Sequence, residues 1–182
     1  MDSLEFRFAV ATDVTPVVSL VESAYRGSSS CKGWTTEASL LDGQRTDPEE
    51  VIQILHDAES RLLLAHVREE LLGCTLIRDE GGTAYLGMIA IRPDCQGNGL
   101  GRQLLERAEV CAAEIFGATS ARMTVIIQRE ELIQWYERRG YQRTEHREPW
   151  PYGNPRFGLP RRPDLEFLVL RKTLVSGPLG AT

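Results

Sequence analysis

The stretch TAYLGMIAIRPDCQGNGLGR, Thr83 to Arg102, carries the reading of the whole chain. Its first half, Thr83 to Arg92, is a nearly continuous apolar run with strand character. It predicts a central strand covered on both faces. Pro93 has no N–H to donate and ends the ladder. Gly97, Gly99 and Gly101 follow at alternate positions, and a helical period then begins. Leu100, Leu104, Leu105, Ala108, Cys111, Ala112 and Ile115 share one face, and Gly117 stops the helix. A strand that enters a glycine turn and then a helix presents consecutive backbone N–H groups at the helix N-terminus. Glycine adds no Cβ, so an anion can approach that backbone closely. Arg102 puts a full positive charge in the first helical turn. The turn therefore reads as a phosphate or pyrophosphate cradle.

The elements around this stretch alternate strand and helix. Phe6 to Val10 predicts a first strand. A helix follows, with Thr12 or Asp13 as N-cap and Val14, Val17, Val18, Val21 and Tyr25 on its apolar face. Arg26 to Asp47 reads as a loop with a short helix near Thr36 to Leu41. Asp47 or Pro48 to His56 reads as a helix with its proline and acids in the first turn. Arg61 to Val67 and Leu71 to Arg78 are strands before the central one. Ala121 to Gln128 is a further strand, Glu130 to Arg139 a short helix ended by Gly140, and Leu165 to Leu170 a last strand. A strand beginning at Tyr141 leads into a Pro-, Gly- and aromatic-rich stretch that ends at Pro163. The expected organisation is one domain over residues 1–174 with a flexible tail over 175–182.

Bulk properties set the outer limits. The chain has 182 residues, 42% hydrophobic and 26% charged, the profile of a globular protein with one sizeable core. A net charge of −5 argues against a broad nucleic-acid footprint. No apolar run approaches the roughly 20 residues that span a bilayer, and no signal segment is visible, so a cytoplasmic location is the default expectation. The four cysteines, Cys31, Cys74, Cys95 and Cys111, show no metal-binding spacing, so no metal is expected.

The phosphate ligand can be narrowed. A Walker loop ends in GK[ST], whereas this turn ends Leu100-Gly101-Arg102. The dinucleotide fingerprint GxGxxG fits Gly97 and Gly99 but meets Arg102 at its third glycine. A different resemblance fits better. Ile89 to Gly101, IAIRPDCQGNGLG, is similar to the acetyl-CoA motif of the GNAT superfamily of N-acetyltransferases, a strand followed by Q/R-x-x-G-x-G/A. Gln96, Gly99 and Gly101 fall on its defining positions. A second signature of that superfamily, a short helix ending near a Tyr and followed by a basic pair and Gly-aromatic, is matched by Gln134 to Tyr141, QWYERRGY. The chain departs from the family where an Asn often bonds the pantetheine arm, seven residues before the Tyr. Arg129 stands there.

The resemblance implies an α/β (α+β) fold. Its mixed, mostly antiparallel sheet has six to seven strands, splays between strands 4 and 5, and is flanked by about four helices. It implies acetyl-CoA as co-substrate, with the pantetheine arm along Ile89, Ala90 and Ile91. The phosphates would lie on Gln96, Gly97, Asn98, Gly99, Leu100, Gly101 and Arg102, with Arg129 and Tyr136 also at the cofactor. Tyr136 is the expected general acid toward the leaving thiolate, and Glu37 the expected base or amine anchor. Trp34, Glu37, Arg45 and Trp150 are the expected acceptor contacts, with Arg45 suited to a carboxylate. The expected activity is acetyl transfer to a primary amine of a small molecule by direct attack. The alternatives are a non-catalytic acyl-CoA sensor and an enzyme for protein N-termini or lysines. The stretch Pro149 to Pro163 either borders the acceptor or makes a dimer contact, so monomer and homodimer both remain open.

Overall fold

A computed structural model describes residues 3–174. The tail expected to be flexible, 175–182, lies outside the described residues. In chain order the elements are β1 (Leu4–Phe8), α1 (Val14–Tyr25), α2 (Gly27–Ser30), β2 (Leu41–Asp42), α3 (Pro48–His56), β3 (Ser60–Val67), β4 (Glu70–Asp79), β5 (Thr83–Ile91), α4 (Leu100–Phe116), β6 (Ser120–Ile126), α5 (Glu130–Glu137), β7 (Gln142–Pro149), β8 (Leu159–Pro160) and β9 (Glu166–Thr173). The main sheet has seven strands in the order β1-β3-β4-β5-β6-β9-β7. Its neighbours are antiparallel except for the parallel pair β5–β6. This is the mixed, mostly antiparallel sheet expected from the sequence.

The sheet is buried on both faces because its central strands are apolar at successive positions. Leu63, Ala65, Ile77, Ala84 and Leu86 pack with Leu104, Leu105, Ala108 and Ala112 of α4. The opposite face, Leu62, Leu64, Cys74, Leu76 and Met88, packs with Val17, Leu20 and Val21 of α1 and with Val51 and Ile54 of α3. α3 starts as its sequence dictates. The Asp47 carboxylate accepts the Glu50 N–H at 2.7 Å, and Pro48 follows at the first helical position.

Two local expectations need correction. Asp13 does stand at the N-cap of α1, but its carboxylate caps nothing in that helix. It is bound by the Arg7 guanidinium at 2.7 Å and by the Val10 N–H. The short helix expected near Thr36 to Leu41 is reduced to a single turn, with the Leu40 and Leu41 N–H groups donating to the Glu37 carbonyl at 2.8 and 2.9 Å. A single helical turn forms earlier, at Gly27–Ser30, and Leu41–Asp42 pairs antiparallel with Leu159–Pro160. The cause is a third apolar cluster, in which Leu41 is 1% exposed against Ile126, Trp150 and Leu165. An extended Leu41 reaches that cluster and ties the loop to the chain after β7.

Two irregularities in β5 shape everything that follows. Opposite β4 the register jumps from Leu76↔Gly87 to Cys74↔Ala90, so Met88 and Ile89 face the single residue Thr75. This is a β-bulge, and Met88 takes a left-handed φ of 48° within it. Opposite β6 the pairing is short: Thr83↔Ser120, Ala84↔Ala121 and Tyr85↔Arg122. Beyond that point β5 stays with β4 while β6 stays with β9 as far as Ile126↔Phe167. The sheet opens between its fourth and fifth main-sheet strands in sequence order, as expected.

Leu104 is fully buried between α4 and the sheet. Leu104→Ala should lower unfolding stability by about 2–5 kcal/mol with an unchanged denaturant m-value. A loss under about 1 kcal/mol would mean that α4 does not pack on the sheet as described.

Candidate active site

Two cavities meet at the opening. The smaller, about 240 Å³, is lined by the glycine turn (Gln96, Gly97, Gly99, Gly101), Arg102, Trp34, Thr35, Trp135 and Arg139. The larger, about 480 Å³, lies over β4, β5 and β6 and is covered by Arg45, Glu50, Trp150 and Phe157. Tyr25, Ile89, Leu132 and Tyr136 line both.

The turn has the form that an anion cradle needs. Gly97 and Gly99 have φ of 88° and 80°, conformations costly for residues with a Cβ, and a Cβ on either would meet nothing within 4 Å. Gly99 caps α4, so the N–H groups of the helix's first turn have no partner within the helix. Arg102 is well exposed beside it. Arg139 lies over the Trp135 ring at 3.4 Å and lines the same cavity, a cation the sequence reading left out. Ala90 and Leu100, by contrast, point into the core, and only their backbone is available to a ligand.

Gln96 does not reach out to a ligand. Its Nε2 donates to Thr35 Oγ1 (2.9 Å) and to the Ile91 carbonyl (3.1 Å), and its Oε1 accepts the Trp34 N–H (3.0 Å). It clips the loop after α2 onto the glycine turn. Trp34 is thereby held near Trp135, centroids 6.0 Å apart. It lines the smaller cavity and not the larger one, so it sits on the side of the turn and away from the expected acceptor contacts.

Tyr136 is 5% exposed, with its ring edge-on to Trp135 and Tyr141. Among the described residues its hydroxyl has no hydrogen-bond partner. Burial raises its pKa well above that of an ordinary tyrosine, so the hydroxyl stays protonated and can donate. Tyr25 was expected only as part of a helix's apolar face. Its hydroxyl instead donates to the Ile89 carbonyl at the bulge, and burial pushes its pKa up to about 12.

Glu37 stands in a buried charge cluster. One carboxylate oxygen accepts from Arg26 at 2.5 Å and the other from Arg129 at 2.9 Å. Burial pushes its pKa up, but Arg129 and Arg26 outweigh burial and hold it below the usual carboxylate range. A base needs a pKa near the working pH and a free lone pair. Glu37 is held too acidic for that, and both of its oxygens are tied to arginines, so its geometry is that of a post. Arg129 also donates to the Thr35 carbonyl, so it ties the end of β6 to the loop after α2 and is turned away from the glycine turn. It lines the larger cavity.

Arg45 is positioned by Glu22, whose carboxylate accepts the Arg45 and Thr46 N–H groups at 2.6 and 2.8 Å. Its guanidinium lies 5.5 Å from the centre of the Tyr25 ring and has no ion pair among the described residues. Trp150 lines the larger cavity, and its buried Nε1 finds no acceptor. The arginines of the Pro149–Pro163 stretch are consumed locally: Arg156 binds Asp47, Arg161 binds Asp42 and Arg162 binds Asp164. Arg156 and Arg161 pin this segment to the loop before α3, and Trp150, Pro151 and Phe157 of the segment line the cavity. Arg78, Tyr85 and Arg122, which line the cavity floor, carry no motif. Register alone brings them together, as Arg78↔Tyr85 and Tyr85↔Arg122.

The comparisons agree with this geometry. The model of the acetyltransferase (GNAT) family matches residues 28–141, and the chain belongs to that family. No curated protein matches the sequence. Among solved structures, a spermidine N-acetyltransferase SpeG chimera from Vibrio cholerae and hSSAT aligns with 94% of this chain and 95% of its own, at 17% identity and a TM-score of 0.67. The ribosomal-protein-S18-alanine N-acetyltransferase from Escherichia coli aligns over 99% of both chains, at 14% identity and a TM-score of 0.69. At such identities the likeness is one of fold.

Glu37→Gln leaves two buried cations short of a counter-charge and should cost about 3–5 kcal/mol at neutral pH. Because the native pKa of Glu37 is lowered, its contribution is complete above the unfolded carboxylate value and is lost as pH falls through the native one. The gap between wild type and Glu37→Gln in denaturant unfolding should therefore shrink in acid. A gap independent of pH would show that Glu37 is not held ionised by its arginines.

Proposed function

We propose that the protein is an acetyl-CoA-dependent N-acetyltransferase whose acceptor is the primary amine of a small, carboxylate-bearing molecule. One observation carries the reading: a phosphate-sized cradle and a larger polar chamber join at the opened strand edge, and Tyr136 lines both.

The residues of the smaller cavity fit coenzyme A. The N–H groups around Gly97 and Gly99 would take its pyrophosphate, with Arg102 and Arg139 as counter-charges. The edge of β5 from Ile89 to Ile91, unpaired with β6, would take the pantetheine amides as an added strand does. Bound acetyl-CoA supplies an activated acyl thioester with a thiolate as leaving group. At the junction a backbone N–H of the bulged segment is the candidate donor to the thioester carbonyl. The Tyr136 hydroxyl, protonated and without another partner, is the candidate donor to sulfur. Tyr25 fixes the bulge through the Ile89 carbonyl, and Glu37 holds Arg26 and Arg129 so that the loop covers the junction and excludes water. Arg45 is the candidate carboxylate anchor. Two of the neighbouring enzymes of known structure are named for a polyamine and for a ribosomal protein, and neither acceptor suits a chamber with unpaired arginines, whereas another is named for phosphinothricin.

Free thiol released from acetyl-CoA in the presence of small amines would establish turnover. Tight coenzyme A binding without thiol release across the panel would favour a sensor instead. Tyr136→Phe should lower kcat at least about tenfold with little change in acetyl-CoA affinity. An unchanged kcat would remove Tyr136 from the chemistry.

A further inference from the structure

The charges that line the larger cavity balance in number but not in pairing, and the groups left over are specific. Four arginines line it: Arg45, Arg78, Arg122 and Arg129. Arg129 is paired with Glu37, and Arg122 is held between Glu80 and Glu148. Arg45 and Arg78 have no ion pair or side-chain hydrogen bond among the described residues. Four carboxylates line it as well: Glu37, Glu50, Glu80 and Glu148. Three of them are those same partners. Glu50 touches no arginine, and its side chain accepts only from the Thr46 hydroxyl at 2.7 Å. By direct contact, two cations and one anion are thus left over, while Glu37 and Glu50 act on Arg45, and Asp57 on Arg78, at longer range.

The two cations are braced. The Arg45 guanidinium lies 5.5 Å from the Tyr25 ring centre, and that of Arg78 lies 5.8 Å from the Tyr85 ring centre. A guanidinium held over a ring keeps its planar N–H fork available and loses little freedom when it binds a carboxylate. The Nε of Arg78, on the cavity floor, is buried without an acceptor. The two arginines also stand apart. Arg45 rests on Tyr25, which binds Ile89 at the junction, whereas Arg78 pairs with Tyr85, four residues back along β5.

From this complement we infer that the acceptor is an α-amino acid with a second anionic group at the far end of its side chain, an amino dicarboxylate. The carboxylate beside the reacting amine goes to Arg45 near the junction. The distal carboxylate goes to Arg78. Glu50 supplies the counter-charge that draws in the ammonium. A polyamine has no group for either arginine, and a neutral or monoanionic amine leaves Arg78 unpaired. This inference rests on the acetyltransferase reading for its direction, but the binding it describes stands apart from turnover.

The test measures both. Calorimetry with L-aspartate, L-glutamate and L-2-aminoadipate, in the presence of coenzyme A, reads binding. Thiol release from acetyl-CoA with the same amines, and with glycine, alanine and putrescine, reads turnover. One of the dicarboxylates should bind and should have the highest kcat/KM of the panel. Arg78→Gln should raise its KM at least tenfold and leave the KM of alanine within twofold, with the unfolding midpoint unchanged. Arg45→Gln should weaken every carboxylate-bearing acceptor. Preference for alanine or putrescine, or an equal effect of Arg78→Gln on all acceptors, overturns the inference and leaves the acetyltransferase reading intact. A dicarboxylate that binds through Arg78 but is never acetylated overturns the enzyme and keeps the site. Neither binding nor turnover with any dicarboxylate overturns the inference outright.

Discussion

The structure depends on the parting of β5 from β6. A parallel pair gives up its hydrogen bonds beyond Tyr85↔Arg122, and both edges must then find other partners or remain open to a ligand. β6 loses nothing on its other side, because β9 pairs with it along its full length. β5 keeps β4, but through the bulge at Met88 and Ile89, which turns the open edge toward the junction of the two cavities. A left-handed methionine is costly. The burial of its side chain under α1 and the hydrogen bond from Tyr25 to Ile89 hold it in place.

The loop from Gly27 to Asp47 crosses this opening and is fastened on both sides of it. Gln96 clips it to the glycine turn, Arg129 clips it to the end of β6, and Glu37 joins Arg129 to Arg26 at the end of α1. A buried carboxylate between two guanidiniums is stabilising only while all three are present. The cluster therefore makes the loop's position a cooperative property. It also gives a use for the arginine that stands where the resemblance leads one to expect an asparagine: Arg129 fastens the loop that covers the opening.

Much of this was legible in the sequence, and the reasons are physical. The β5 run, the glycine turn and the α4 period are local signals, and each needs only its own residues to be read. The Tyr136 segment likewise sits in a short, contiguous pattern. What escaped the sequence was set by contacts between distant residues. Nothing near Thr36 announces that Leu41 will be drawn into an extended pairing with Leu159 and Pro160 by the cluster around Trp150. Glu37 read as a candidate base because an acid in a loop has no visible partners. Its two arginines are 11 and 92 positions away. Trp34 read as an acceptor wall and lies beside the glycine turn because Gln96 pulls its backbone there. Arg78 and Tyr85 carried no signal, since strand register alone makes them neighbours.

Hydrogen–deuterium exchange with and without acetyl-CoA tests most directly whether the open edge of β5 receives the cofactor. Protection should appear together in the bulged half of β5, from Met88 to Ile91, and in the glycine turn from Gln96 to Arg102. The paired half of β5, from Thr83 to Tyr85, should be unaffected. Protection confined to the glycine turn, or absent from both segments, would contradict the account.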